Sequence, residues 1–381
     1  MRPFKIGSLL GIPILVSPSW LVLFAGLTWV LATQLYPSAL GDASQTTHFA
    51  MAGVSVILFF TCIVLHELAH SAVAKAYQIP VKSITLFLFG GVAQITREAP
   101  KPIGEFLMAI AGPAASLVLG VAFFGAWFAL GANLHEPIDY VLFWLAWMNG
   151  ILAIFNLLPA FPMDGGRVFR SLIWMFTGNY YQATNIACWA GRGIAWSMMA
   201  TGALAAAGLN LYIAEGTFGG LWLILIGLFL ENAARQGLLQ NRLVHALQKY
   251  NAGDLMTANP PVVEPQISVA SLARGVLELN PRVCYFVEDH GKLAGIVSAY
   301  QMRAVPEGLW DRTTAGEAMI PSSRLRATPA DRPVHEVLIE MESENLLHMP
   351  VVTDGRVVGV IGRDRIITVL RQAGLLPTPS R

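Results

Sequence analysis

The chain has 381 residues, of which 55% are hydrophobic and 13% charged, with a mean hydropathy of +0.55; this excludes an ordinary soluble globular protein and indicates a lipid-embedded one. A formal net charge of +1 argues against a nucleic-acid partner. The three cysteines, Cys62, Cys188 and Cys284, form no CxxC or paired pattern and read as small apolar residues of a reduced protein.

Charge is uneven along the chain. Of 25 Lys and Arg and 24 Asp and Glu residues, 28 lie within 251–381. The first 250 residues are therefore expected in lipid and the remainder in water. Met1 to Gly11 carries basic Arg2 and Lys5, but no small-residue cleavage site follows the apolar run from Leu21, which reads as a retained span rather than a signal peptide.

Six segments are long enough to cross a bilayer, which takes about 20 apolar residues. They run approximately Ser19–Tyr36, Phe49–Tyr77, Phe106–Leu130, Tyr140–Leu158, Ile186–Leu209 and Phe218–Ala234. Arg2 and Lys5 precede the first; Lys75, Lys82, Arg97 and Lys101 follow or flank the second. Arg167 and Arg170 follow the fourth, and Arg235, Arg242 and Lys249 the sixth. The other three connections hold no Lys or Arg, so the positive-inside rule places both termini in the cytoplasm of a multi-pass cell-membrane protein.

The second span holds His66-Glu67-Leu68-Ala69-His70, with no Lys, Arg, Asp or Glu between Thr46 and His66. Residues four apart on a helix share a face, so His66 and His70 can present two imidazoles to one metal, with Glu67 beside them as general base. The bland alternative is two satisfied histidines and a buried glutamate. Ionisable groups at membrane depth are costly, which favours the functional reading.

Val81 to Ile95 is apolar and β-branched but too short to span as a helix, and Gly90-Gly91 breaks it. It reads as a β-hairpin or re-entrant loop at membrane depth. Its use is either to offer a strand edge to an extended peptide or merely to complete the structure. Ala111-Gly112-Pro113 in the third span reads as a close-packing surface, with Pro113 a candidate kink. The fourth span ends in Asn156-Leu157-Leu158-Pro159-Ala160-Phe161-Pro162-Met163-Asp164-Gly165, where two prolines stop the helix in apolar sequence. A catalytic zinc takes three protein ligands, and Asp164 is the best third candidate, although an Asp-Gly turn reads equally well from spacing. Asn156 fits interhelical hydrogen bonding. Glu98, Glu105, Glu136, Asp139, Glu215 and Glu231 read as interface or loop carboxylates. Arg192, inside the fifth span, is expected to snorkel or to pair, with Glu231 one candidate partner.

The last third contains a repeat with a period of about 64 residues: Gly291 and Gly295 recur as Gly355 and Gly359, and Asp254-Leu255-Met256 recurs as Glu317-Ala318-Met319. Each unit reads as short strand, helix, two strands joined by a Gly turn, and helix.

Together, His66-Glu67-x-x-His70, the Gly90-Gly91 loop, Ala111-Gly112-Pro113 and Asn156-x-x-Pro159 followed by Asp164-Gly165 resemble the site-2 protease family of intramembrane zinc metalloproteases, peptidase family M50. The repeat resembles a tandem pair of CBS domains. The implied fold is a polytopic α-helical membrane protein of six transmembrane helices with a membrane-embedded hairpin or re-entrant loop, followed by a soluble α/β CBS pair. The implied divisions are 1–235 for the membrane metalloprotease, 236–250 for a linker, 251–312 and 313–372 for the two CBS repeats, and 373–381 for a tail.

The resemblance implies one Zn2+ per chain on His66, His70 and Asp164, with Glu67 activating water. It implies that Asn156, Gly90 and Gly91 engage an unwound single-span membrane substrate, such as a tethered regulator in regulated intramembrane proteolysis. CBS pairs often bind adenine nucleotides through a Ser/Thr and an Asp three residues later. Here those positions are Ser298 and Gln301, then Gly362 and Arg365 with Asp364 displaced by one, so the second repeat departs from the nucleotide pattern at both positions. Homodimerisation through the CBS pair is expected. The alternative reading is a CBS-regulated ion transporter or channel using the His/Glu/Asp cluster as its ion site; no inverted repeat supports it.

Overall fold

A computed structural model describes residues 3–40, 43–87, 90–95, 97, 99–134, 136–209, 216–279, 284–290, 292–354 and 356–375. Glu98, Glu215 and the turn glycines Gly291 and Gly355 lie outside them. The chain divides into two compact units, 1–238 and 239–381.

The first unit opens with a hairpin that the sequence reading missed. Strands β1 (Phe4–Leu9) and β2 (Ile12–Val16) pair antiparallel with Leu9 opposite Ile12, leaving a two-residue turn in which Leu10 and Gly11 both have positive φ. That is the twist a two-residue hairpin needs. Alternate residues of β2 (Ile12, Ile14 and Val16) are buried.

Helix α1 (Pro18–Val30) begins with proline at N1, where the missing amide costs nothing, and continues through a π-helical turn, Leu31–Leu35, into α2 (Tyr36–Leu40). Helix α3 (Gln45–Ala76) is capped by the Ser44 hydroxyl, which accepts from the Thr47 amide at 3.1 Å. Val81 to Ile95 forms β3 (Val81–Phe87) and β4 (Gly90–Ile95), an antiparallel pair, so the hairpin alternative holds. β3 also runs parallel to β2, giving a sheet of order β1-β2-β3-β4 in which β4 is an edge.

Then follow α4 (Pro102–Ala129), α5 (Pro137–Asn156), α6 (Asp164–Thr177), α7 (Tyr180–Ala206) and α8 (Gly216–Leu247). α4 packs on α3, α5 and α6. Around α1, α3 and α5 the core mixes aliphatic and aromatic groups: Phe59, Phe60, Trp144 and Leu145 are buried, with Trp20 and Phe24 against them, and Tyr36 Oη lies 2.5 Å from Ser55 Oγ.

Among the described residues, five helices are long and apolar enough to cross a membrane: Pro18–Leu40, Gln45–Ala76, Pro102–Ala129, Pro137–Asn156 and Gly216–Leu247. The expected fifth span falls on α7, which is long enough but is not among them, so six spans are expected and five met. α7 carries Arg192, whose guanidinium binds Glu231 of α8 at 3.0 Å and lies over Trp189 and Trp196. The expected snorkelling or paired arginine is thus paired. Two carboxylates read as interface or loop groups are instead buried: Glu105 binds Arg170, and Asp139 accepts the Asn133 amide at 3.0 Å. Their partners come from α6 and from the chain before α5, which no local pattern announces.

The second unit contains α9 (Ala252–Leu255), β5 (Thr257–Ala258), β6 (Val262–Val263), α10 (Val269–Leu279), β7 (Cys284–Asp289), β8 (Lys292–Ser298) and α11 (Ala299–Ala304). It continues with α12 (Ala315–Ala318), β9 (Ile320–Pro321), β10 (Thr328–Pro329), α13 (Val334–Ser343), β11 (His348–Thr353), β12 (Arg356–Gly362) and α14 (Arg363–Gln372). The strand–helix–strand–strand–helix repeat is present twice. Its sheets have the orders β6-β7-β8-β9 and β10-β11-β12-β5, so the repeats exchange their first short strands. Two apolar clusters hold the repeats, one around Val269, Val287 and Val297, the other around Val337, Met349, Val351 and Ile361.

Candidate active site and metal centre

His66 and His70 stand one turn apart on α3, both buried, and Asp164 opens α6 across from them. His66 Nε2 lies 3.2 Å from His70 Nε2, and Asp164 Oδ2 lies 3.1 Å from each. The far side of each ring is held. His70 Nδ1 is 2.6 Å from the Met108 carbonyl, which accepts only, so Nδ1 carries the proton and Nε2 presents a lone pair. His66 Nδ1 is 2.8 Å from Ser116 Oγ. The two Nε2 atoms and a carboxylate oxygen thus converge on one point, an arrangement suited to a cation. A triangle with these sides has its centre about 1.8 Å from each corner, so a point just off its plane meets Zn–N and Zn–O bonds of about 2.0–2.2 Å. The donor set fits zinc. Among the described residues it is the one His/Cys/Asp/Glu group gathered closely enough to hold a metal.

The neighbouring backbone is fitted to this cluster. A Cβ on Gly112 of α4 would lie 2.2 Å from His70 Nε2 and 2.5 Å from His66 Nε2. The Ala111-Gly112-Pro113 step is therefore more than a helix-packing surface, because only glycine lets α4 pass so close to the converging nitrogens of the two imidazoles. The broken end of α5 has a similar demand. A Cβ on Gly165 would meet the Leu157 carbonyl oxygen at 2.2 Å, so the Asp-Gly pair lets α6 start against the loop that carries Asp164 inward.

Glu67 faces the sheet. Its Oε2 accepts the Ala93 amide of β4 at 3.0 Å, and a Cβ on Gly91 would be 2.8 Å from its Cγ. Ala93 stands opposite Ile84 of β3 on β4, the edge strand of the sheet. Glu67, both histidines, Asp164, Gly90, Gly91, Asn156 and Arg167 line one cavity of about 520 Å3, whose other walls include Leu23, Phe59, Phe60, Ile63 and Leu152. Asn156 Nδ2 also donates to the Leu152 carbonyl at 3.0 Å. The structure thus gathers every site residue expected of the first unit around one cavity. Arg167 is the residue that sequence reading left out. By sequence it is one more loop charge, and its i+3 spacing from Asp164 on a helix is the available signal.

In the second unit, Ser298 is the N-cap of α11. Its hydroxyl donates to the Gln301 side chain and accepts the Tyr300 amide at 3.3 Å. Asp364 lies in the first turn of α14. Burial, with Asp364 nearby, pushes the Cys284 thiol up to about 12 and leaves it inert at neutral pH. Burial also holds the His348 imidazole below its ordinary value.

Comparison with known proteins gives a consistent pattern. The model of peptidase family M50 matches residues 54–140 and 128–200, and that of the CBS domain matches 252–306 and 316–372. The putative zinc metalloprotease sll0528 of Synechocystis is 32% identical over 372 residues, 96% of this chain and 95% of its own. The putative zinc metalloprotease Rip3 of Mycobacterium tuberculosis is 33% identical over 380 residues, 98% and 95% of the two chains. Among solved structures, a site-2 protease from Methanocaldococcus jannaschii matches at 30% identity with a TM-score of 0.43, covering 62% of this chain and 95% of that one.

Proposed function

The chain belongs to peptidase family M50 and carries a pair of CBS domains, and on that premise we propose that it is a zinc endopeptidase that cuts other membrane proteins inside the bilayer. The observation that carries the reading is the convergence of His66 Nε2, His70 Nε2 and Asp164 Oδ2 beside Glu67 on a long apolar helix. Both full-length relatives are named as zinc metalloproteases, which favours a peptidase over a CBS-regulated ion transporter.

In this reading His66, His70 and Asp164 hold one zinc per chain. Zinc, when bound, acidifies a water and polarises the scissile carbonyl. Glu67 takes the proton from the attacking water and passes it to the leaving amine. The Ala93 amide orients one carboxylate oxygen of Glu67 and leaves the other for that transfer. A transmembrane helix hides its peptide bonds in i to i−4 hydrogen bonds, so the substrate is read as an unwound single-span segment. It docks along the open edge of β4 near Gly90 and Gly91, with Asn156 binding its backbone. The cavity walls of Leu23, Phe59 and Phe60 suit apolar side chains.

The lysine and arginine distribution supports a multi-pass cell-membrane protein with both termini in the cytoplasm, and the neutralisation of Arg192 by Glu231 supports α7 as its sixth span. The CBS pair is then a cytoplasmic regulatory and dimerising module. Because the Ser298 hydroxyl serves the α11 cap and the second repeat offers Gly362 and Arg365, adenine nucleotide at Ser298 and Asp364 is the less favoured mode of control.

The test is cleavage of a panel of single-span substrates by purified protein in detergent, with zinc quantified in the same samples. Wild type is expected to yield fragments, and Glu67→Gln to keep zinc and lose cleavage by at least about 100-fold. Full cleavage by zinc-loaded Glu67→Gln, or a folded wild type that binds no zinc, overturns the reading.

A further inference from the structure

Arg167 has no role in the chemistry above, yet it faces the same cavity. Its neighbours leave its charge only loosely engaged. Glu105, at the start of α4, is 2% exposed and receives Arg170, whose Nε lies 2.8 Å from Oε1 and whose Nη2 binds the same oxygen. Arg170 is buried as well, and its guanidinium lies 5.5 Å from the Phe161 ring centre and 4.8 Å from that of Tyr180. Glu105 Oε1 thus takes two donors from Arg170. Arg167, one turn earlier on α6, brings its Nε only to 3.9 Å of Glu105 Oε1, beyond hydrogen-bond reach, and its side chain is 23% exposed.

Among the described residues, Arg167 is the one lysine or arginine lining the cavity that also holds His66, Glu67, His70, Asn156 and Asp164. With zinc bound, the metal is balanced by the Asp164 and Glu67 carboxylates, and Glu105 balances Arg170. Among the described residues Arg167 has no carboxylate within hydrogen-bond reach, Glu105 at 3.9 Å being shared with Arg170, so its charge is only partly offset beside apolar walls. A planar guanidinium in that position is suited to a carboxylate, which it can bind through two parallel hydrogen bonds.

The substrate brings few such groups, because a segment that crosses a membrane is nearly free of charge. The reaction makes one at every turnover. Water adds its oxygen to the scissile carbonyl carbon, the C–N bond breaks, and the amine leaves with a proton. The N-terminal fragment is left with a C-terminal carboxylate inside the cavity, whatever the substrate sequence. We propose that Arg167 binds this newly formed carboxylate and so holds the N-terminal fragment after the cut. The inference rests on the peptidase reading but is tested by binding rather than by turnover.

Full-length, zinc-loaded protein is titrated with a short apolar peptide ending in a free carboxylate, with its C-terminal amide, and with the amide carrying one internal Glu. Zinc contributes to carboxylate affinity in every variant, so the quantity of interest is the carboxylate-over-amide preference of wild type relative to each variant. Arg167→Gln is expected to lower that preference by about 10- to 100-fold, the range for a charge-assisted pair, at unchanged zinc content. Arg167→Lys is expected to keep part of it, which separates a binding role from mere packing. Zinc-loaded Arg167→Gln with the wild-type preference overturns the inference. Loss of affinity confined to the internal-Glu peptide also overturns it, assigning Arg167 to acidic side chains. Cleavage by wild type and its loss in Glu67→Gln can fail independently of this binding preference, so the two readings are distinguishable.

Discussion

Replacing Gly112 by alanine adds one methyl group and aims it at the metal centre. The added carbon would lie 2.2 Å from His70 Nε2, 2.5 Å from His66 Nε2 and 2.6 Å from His70 Cε1, where ordinary contact begins near 3.4 Å. One or both imidazoles must retreat by about 1 Å, whereas a working constellation tolerates about 0.5 Å. Neither ring can swing freely, since His70 is tied to the Met108 carbonyl at 2.6 Å and His66 to Ser116 at 2.8 Å. The loss in zinc affinity should therefore reach at least about 100-fold, the upper end of the loss caused by removing only an orienting partner of a metal ligand. The helix itself should not suffer, because alanine is favoured over glycine in a helix interior by about 1 kcal/mol. Gly125 on the same helix has nothing within 4 Å of its added Cβ, so Gly125→Ala is the matched control. The assay is zinc per chain after competition with a graded chelator, alongside thermal unfolding of the same samples. Gly112→Ala with wild-type zinc affinity would refute the reasoning, and an equal loss in Gly125→Ala would show that the effect is not local.

The same geometry sets three further outcomes. Gly91→Ala places a carbon 2.8 Å from Glu67 Cγ and 3.2 Å from Ile63 Cγ2, so it should keep zinc while lowering kcat by up to about 100-fold through a misplaced base; zinc loss in step with activity would contradict this. Glu105→Gln leaves the buried Arg170 without its anion and should destabilise the protein by about 3–5 kcal/mol in a denaturing-detergent titration, whereas Glu105→Leu with Arg170→Met should recover much of that; equal losses in both argue against the buried pair. His348 is held below its ordinary value of 6.5 by burial, so the unfolded chain binds a proton that the folded chain refuses. Its contribution to stability is fully present above about pH 6.5 and is lost as pH falls through the lower folded value. Hydrogen exchange over β11 and β12 should accelerate as pH is lowered through that window after correction for intrinsic rates, and His348→Phe should remove the trend.

What the sequence decides by itself is whatever depends on neighbours a few positions apart. His66, Glu67 and His70 share one helical turn, so their common face comes from helix geometry alone, and the long apolar runs around them announce the bilayer. The CBS pair is legible for a similar reason, since a pattern repeated in register is its own control. Asp164 can be suspected as third ligand, but an Asp-Gly turn explains the same residues, and only the approach of α6 to α3 brings its carboxylate to 3.1 Å from both imidazoles.

Other features depend wholly on contacts between distant parts of the chain. Strands β1 and β2 are short, and their place beside β3 is set by a parallel pairing of Ile14 with Ile84, 70 residues away. Glu105 reads as an interface carboxylate because its partner Arg170 lies 65 residues further on. The exchange of β5 and β9 between the repeats cannot be read from either repeat, because both orders satisfy the same local pattern. Gly112 looks like a packing residue until two histidines from another helix stand where its side chain would be. Local sequence fixes which groups share a face. Which groups meet across helices depends on packing, where one Cβ or one unpaired charge decides what fits.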